Sequence, residues 1–271
     1  TEEASNFYER TKSDGTLAKV GKRVTDRVKA WYKEVFGKKQ FTEQEKKFNE
    51  LKREFGVKGH LDLEEIHGRY FNSDGTRKSK PDVRPKKFNV ESQDIYDKLE
   101  KYYVDLIKTF PKDTLIMSEV IIYDPNQDEA GTIDFLAIEP SGKTHILDWK
   151  FMHIRGEDIA WFKQGAFNIQ LKRYKEILKD HYGVTSFGMN RAIPISMEFG
   201  LKNRLNPDMG FKVKGVAIGS ANAADIEDIK LIPIAEETES TGEEDLDELI
   251  KKLNALLKQT ESQQVGEDDK Q

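Results

Sequence analysis

Cysteine is missing from all 271 residues. Its absence excludes disulfides, iron–sulfur clusters and thiolate zinc sites. It also fits a reducing, intracellular compartment: the cytoplasm, or the host-cell cytoplasm for a viral chain. No stretch approaches the ~18 consecutive apolar residues of a membrane span, so no membrane partner is expected. No secretory leader is visible, and no Walker-type phosphate loop occurs, so an ATP motor is not expected. A start at Thr1 rather than Met fits a chain that is processed or cut from a longer one. An excess of positive charge is missing too: the net charge is −5.

That net charge conceals an uneven distribution. Between Glu236 and Gln271 lie 12 acidic and 4 basic residues, which leaves 40 basic against 37 acidic elsewhere, about +3. The body is mildly basic and the C-terminal end masks it, so a nucleic-acid partner stays open. "RKSKPDVRPKK" (Arg77 to Lys87) holds six basic residues and one Asp. It reads as a solvated loop or as a loop that contacts phosphates. Hydrophobic residues at 37% suffice for a core, and charged residues at 34% for a polar surface.

Helical spacing dominates the first hundred residues. Val20, Val24, Val28, Trp31 and Val35 predict a helix over Leu17 to Gly37. Thr42 and Glu45 form a capping-box pattern, and that helix is expected to stop at Gly56. "KGHLDLEEIHGRYF" predicts a further short helix. An amphipathic helix is expected from Ser92. The pattern then turns to strands, "SEVIIYD", "TIDFLAI" and "THILDWKF", separated by turn-forming stretches. A long helix over "AWFKQGAFNIQLKRYKEILKDHYG" places Phe167, Leu171, Tyr174 and Leu178 on one face. "AIPISMEF", "FKVKGVAIG" and "IKLIPIA" read as more strands. "DLDELIKKLNALLKQ" predicts a short amphipathic helix, followed by a tail of disordered composition. The expected class is α/β with a central mixed sheet flanked by helices. The expected division is an N-terminal helical segment (1–50), a core (51–235) and an acidic C-terminal segment with its helix and tail (236–271).

The unusual residues sit in "GTIDFLAIEPSGKTHILDWKF", Gly131 to Phe151. Residues two apart in a strand share a face, so Asp148 and Lys150 point one way and Trp149 the other, into the core. The turn "EPSGK" lets the strand carrying Asp134 lie beside the one carrying Asp148. Two carboxylates converging in a partly dry site repel one another, and a hard divalent cation removes that cost. Magnesium or manganese held there would polarise a phosphoryl oxygen and activate water, with Lys150 orienting the water or offsetting negative charge. An Asp–Lys–Asp ion-pair network at a sheet edge is the plain alternative.

The hairpin "AGTIDFLAI" followed by "THILDWKF" resembles the PD-(D/E)XK nuclease superfamily, in its RecB-type exonuclease branch. The resemblance covers about Glu54 to Glu198. It implies a restriction-endonuclease-like core with Asp134, Asp148 and Lys150 as the catalytic set. Asp134 and Asp148 are then metal ligands, joined by the backbone carbonyl of Trp149. The branch has a metal-binding His on an earlier helix, and "GVKGHLDLEEI" supplies Gly56, Gly59, His60 and Glu64. His60 is therefore the expected third ligand and His67 the reserve. "VGKRVTDRV" has a similar shape but carries Thr25 where a His is required. Glu119, at the start of the preceding strand, is the candidate for a second metal site or a held water; an edge-strand charge is its plain reading. Gln170 and Tyr174 match the branch's Q-x-x-x-Y motif. The implied role of the pair is contact with nucleic acid and support of the site, not catalysis, and Lys172 and Arg173 between them are expected nucleic-acid contacts too; a core Tyr174 beside a solvated Gln170 is the alternative. Ile133 replaces the usual Pro before the first Asp, as is common in this branch.

The implied activity is magnesium- or manganese-dependent hydrolysis of DNA, single- or double-stranded, from an end, leaving 5′-phosphates. A helicase or larger complex is a companion the resemblance allows. The iron–sulfur variant is excluded by the missing cysteines. Two other readings stay open: a ribonuclease of the same fold, akin to a cap-snatching endonuclease, and a non-catalytic nucleic-acid-binding module.

Overall fold

In the computed structural model the described residues are 8–11, 16–37, 40–153, 161–201 and 211–218. They form an α/β fold with a mixed six-stranded sheet flanked by helices, and a separate two-stranded ribbon. The expected strand "IKLIPIA", the C-terminal helix and the tail lie outside the described residues. No helix among the described residues is long and apolar enough to cross a membrane.

The chain opens with β1 (Glu9–Thr11) and β2 (Leu17–Lys19), which pair as the antiparallel ribbon. β3 (Lys22–Arg23) joins the main sheet, and α1 runs Val24–Phe36. The helix expected from Leu17 therefore begins seven residues late. Gly21 and Lys22 give their backbone N–H groups to the Asp128 side chain and carbonyl, both at 2.9 Å. Pairing of this kind outweighs a weak helical periodicity. Asp26 accepts the Arg23 backbone N–H at 3.0 Å and caps the helix start.

α2 (Glu43–Tyr70) is a single helix of 28 residues, where the sequence reading expects two. The capping box is present: Thr42 N–H donates to Glu45 at 2.9 Å and Glu45 N–H to Thr42 at 3.2 Å. Gly56 does not end the helix. Phe55, Gly59, Leu63 and Ile66 make a buried stripe at helical spacing across the expected break. Burying Phe, Leu and Ile gains ~1.5–3 kcal/mol each, against a cost of ~1 kcal/mol for an interior glycine. Gly59 admits the ring of Phe151; a Cβ there would lie 2.2 Å from it.

α3 (Gln93–Ile107) starts after the Ser92 cap as expected. Then come β4 (Leu115–Asp124), β5 (Glu129–Ile138), β6 (Thr144–Met152), α4 (Trp161–Tyr182), β7 (Phe187–Leu201) and β8 (Phe211–Ile218). The sheet order is β3-β5-β6-β7-β8, with β4 on the other edge of β5. β3 with β5 and β6 with β7 are parallel; the other pairs are antiparallel.

Two cores lie on the two faces. Under α2 and α3 pack Phe55, Leu63, Tyr103, Phe135, Leu147 and Trp149. Under α4 pack Val24, Ile133, Ile146, Leu171, Tyr174 and Leu178. Phe167 lies half-buried against the second core.

β6 stays paired with β5 only through Phe135↔Leu147. Beyond that it follows β7, and β3 takes the vacated edge at Glu129 and Ala130. Between these contacts β5 has an open edge from Gly131 to Asp134. The β4–β5 ladder also skips a step, running Ser118↔Phe135 and Val120↔Ile133 with nothing paired at Glu119 and Asp134. Glu119 has φ of 52°, the left-handed region. β5 changes faces at the same place: Ile133 belongs to the α4-side core and Phe135 to the α2/α3-side core.

Candidate metal and phosphate site

The candidate side chains gather where the sheet parts. Asp134 sits on β5 with its Oδ2 accepting the backbone N–H of Trp149 at 2.7 Å. This bond replaces the ladder bond that would have joined the strands. His60 comes from the middle of α2, with Nδ1 3.7 Å from Asp134 Oδ2 and 4.0 Å from Glu119 Oε1. One ligand atom each from His60, Glu119 and Asp134 lies within 4.8 Å of the others, a grouping able to hold a metal ion. Adjacent ligands around an ion with ~2.1 Å bonds lie ~3 Å apart, so His60 needs to approach each of its two carboxylate partners by about an ångström or less.

Asp148 lies beside this triad on the α4 side of the sheet. One carboxylate oxygen ion-pairs with Lys150, and the other accepts from Gln170 Nε2 at 3.2 Å. Gln170 Oε1 also accepts a hydrogen bond from Lys150 Nζ at 3.1 Å, and Gln170 Nε2 donates to the Tyr174 hydroxyl at 2.7 Å. Asp148 and Lys150 thus share a face as the strand pattern predicts, and Trp149 is buried on the opposite one.

The electrostatics are those of carboxylates crowded together in a partly dry site. Burial first, then the charges of Glu64 and Asp148, raises Glu119 to about 7. Burial and Asp148 hold Asp134 well above the usual carboxylate range, against the opposing pull of Lys150. His60 is pushed down to about 4, chiefly by burial and next by Lys150, and so stays a neutral imidazole, the form that can ligate a metal. Burial alone would lower Lys150, but Asp148 and Asp134 outweigh it and raise it, so it remains an ammonium.

Not every expected residue falls at the site. His67, the reserve ligand, is buried elsewhere on α2, with Nδ1 2.7 Å from the Tyr103 hydroxyl and its ring stacked on Phe71. Seven residues along a helix is ~10.5 Å, too far to share a cation with His60's partners. The expected nucleic-acid contacts need correction. Tyr174 is 1% exposed and Gln170 7%, so both support the site from beneath. Arg173 is clamped by Asp124, Glu129 and Glu176. Arg27 also binds Glu129, at 2.6 Å, and His181 binds Asp124 at 2.9 Å. This node ties α1 and α4 to the β4–β5 hairpin. Lys172 alone of the four is part-exposed without such a clamp.

Half of the basic loop's charges are structural, while Lys80, Lys86 and Lys87 are exposed. Arg77 donates to the Ile107 carbonyl at 2.9 Å, Lys78 to the Gly68 carbonyl at 2.6 Å, and Arg84 pairs with Glu100 at 3.1 Å.

A cleft of about 440 Å³ opens beside the triad, bounded by α1, α2, the end of β6 and α4. His60, Trp149 and Lys150 bring the site into its wall, and Lys52, Lys163 and Tyr32 are among its other lining residues. Sequence reasoning missed these three. Lys52 lies eight residues before His60, about two turns along the same helix, a relation visible only once α2 is read as continuous.

No family model, curated protein or solved structure matches the chain.

Proposed function

We propose that this chain is a magnesium- or manganese-dependent nuclease that hydrolyses phosphodiester bonds of DNA from an end, on a restriction-endonuclease-like core of RecB type. The observation that carries this reading is the meeting of His60, Glu119 and Asp134 beside the Asp148–Lys150 pair, at the point where β5 and β6 part. Structural ion pairs rarely gather several carboxylates whose protonation is favoured by burial and by one another; sites that bind cations do.

His60, Glu119, Asp134 and the Trp149 carbonyl would hold the metal, with Asp148 at its border. When bound, a divalent cation polarises the phosphoryl oxygen and lowers the pKa of a water. The chain supplies the rest. Lys150, kept protonated by Asp148 and Asp134, cannot take a proton from water. Its part is to hold the attacking oxygen and to offset the charge that grows on the phosphoryl group. Attack of water on phosphorus breaks the P–O3′ bond and leaves a 5′-phosphate and a 3′-hydroxyl. Gln170 fixes the Asp148 and Lys150 heads, and Tyr174 fixes Gln170, so both act as positioning residues.

The test is hydrolysis of labelled single- and double-stranded DNA and RNA, in chelator and then in magnesium or manganese. DNA cleavage is expected only with metal. It should fall at least ~100-fold in Asp134→Asn and in Lys150→Ala, the usual scale for losing one group that stabilises the transition state. Cleavage of RNA alone would make the chain a ribonuclease. Folded, metal-loaded protein that cuts nothing would make it a binding module.

A further inference from the structure

The cleft beside the triad has a chemistry of its own. No carboxylate is among its lining residues, while Lys52, Arg53, Lys150 and Lys163 are. Arg53 lies 3.8 Å from Glu50 on the exposed side of α2, and Lys163 donates to the His153 carbonyl at 3.4 Å. Burial, and after it the charge of Lys52, lowers the Lys163 ammonium. Two ammonium groups thus face a common space from α2 and α4, an arrangement that an anion relieves.

Aromatic rings alternate with these charges. Lys150 Nζ lies 5.6 Å from the centre of the Phe167 ring, and Tyr32 stands on the α1 wall of the same space. At the outer end Lys52 Nζ lies 5.0 Å from the Phe48 ring, which packs on Phe199 at 4.6 Å. Cations beside ring faces in a groove are the recurring equipment for a single nucleic-acid strand, in which phosphates meet ammonium groups and bases stack on rings.

Size decides which form of nucleic acid fits. About 440 Å³ is the scale of one drug-sized ligand: a nucleotide enters, a duplex does not. From His60 to Lys52 is eight residues of α2, ~12 Å, the length of about three stacked nucleotides at ~3.4 Å each.

We propose that this cleft binds single-stranded DNA, with a phosphate between Lys52 and Lys163, a base stacked against Phe167 and Tyr32, and the strand leading inward to the metal-ligating residues. The proposal names the substrate of the site read as a nuclease, and rests on that reading only for the hydrolytic step after binding.

Equilibrium binding of a fluorescently labelled 12-nucleotide oligothymidylate, and of a blunt 12-base-pair duplex, to the full chain in chelator tests it without any hydrolysis. The single strand should bind at least tenfold more tightly than the duplex. The double variant Lys52→Ala/Lys163→Ala should weaken that binding tenfold or more. It should also reduce the slope of log affinity against log salt by ~1.4, the loss of two phosphate contacts on a single strand. Phe167→Leu should weaken binding roughly tenfold with the salt slope unchanged, since stacking carries no counterion. Lys101→Ala, on an exposed face of α3, should bind like the unaltered chain, and matching thermal melts show that each variant is folded. Equal or tighter binding of the duplex overturns the proposal, and so does an unchanged affinity and salt slope in the double lysine variant. A protein that binds the strand in this way yet never cleaves it sinks the hydrolytic reading and leaves the cleft assignment standing.

Discussion

Asp134 does two jobs with one oxygen. Its Oδ2 faces His60 and also accepts the Trp149 N–H. Substitutions can separate the jobs. Asn retains an oxygen for that N–H and removes the charge that burial and Asp148 disfavour. Ala leaves a buried N–H unpaired, at a cost of ~1–3 kcal/mol. In chelator, Asp134→Asn should therefore be at least as stable as the unaltered chain, and ~1–3 kcal/mol more stable than Asp134→Ala. Both should lose manganese binding. Urea denaturation and a manganese titration check this; equal stability of the two variants would mean that the Trp149 bond does not hold the strand gap. At this scale much of the site was legible. Asp134, Asp148 and Lys150 stood out because charges inside apolar strands demand a reason. The left-handed backbone of Glu119 carries no signal in the sequence, since Glu is not one of the residue types enriched there. The supporting role of Gln170 is legible in its spacing from Tyr174, but its burial, and the clamp on Arg173, are not, because polarity in a sequence does not reveal burial.

Among the elements, α2 departs from its expected form along with the start of α1, and the glycines of α2 explain why. A helix with Gly at 56, 59 and 68 looks interrupted to any propensity argument. Two of the three behave oppositely in the fold. At Gly59 a Cβ would collide with Phe151, whereas at Gly68 nothing lies within 4 Å. Gly68→Ala should raise stability by up to ~1 kcal/mol, the ordinary gain at an exposed helical position. Gly59→Ala should lower it by ~1–3 kcal/mol through overpacking. Thermal unfolding of the two variants checks the pair; a stabilised Gly59→Ala would show that Phe151 can move aside at little cost. The strands were far easier to find, since alternation and turn residues bound each of them. Their partners were not. Nothing in residues 22–23 announces that they pair with β5, because such a contact is set by the rest of the sheet.

For the molecule as a whole, stability is tied to pH through a group remote from the site. His67 is held down to about 4, mainly by burial and then by Lys78. In the unfolded chain it titrates near 6.5, so below that pH the unfolded state binds a proton that the native state refuses. Stability therefore falls as pH drops from 6.5 towards 4, by at most ~1.4 kcal/mol per pH unit from this residue. His67→Phe, which keeps a ring against Phe71, should make the loss shallower across that interval and unchanged above it. Denaturation midpoints from pH 8 to 4 measure this, and parallel curves would show that His67 is not the proton acceptor. The α/β class and the mixed sheet followed from the order of helical and alternating segments. The sharing of core between Val24 and α4 did not, because it depends on where α1 lands.

The length of α2 has one more consequence. Eighteen residues separate its cap at Thr42 from His60, with Lys52 between them, and all ride on one rigid rod. A rod of this kind indexes its side chains by angle, ~100° for each residue. Changing a residue on its solvent side alters little. Deleting a single residue between Lys52 and His60 would swing one of them a quarter-turn or more away from the cleft, with every contact of the other intact. The segment is thus permissive in spelling and unforgiving in count, like a key whose teeth can be recut but not respaced.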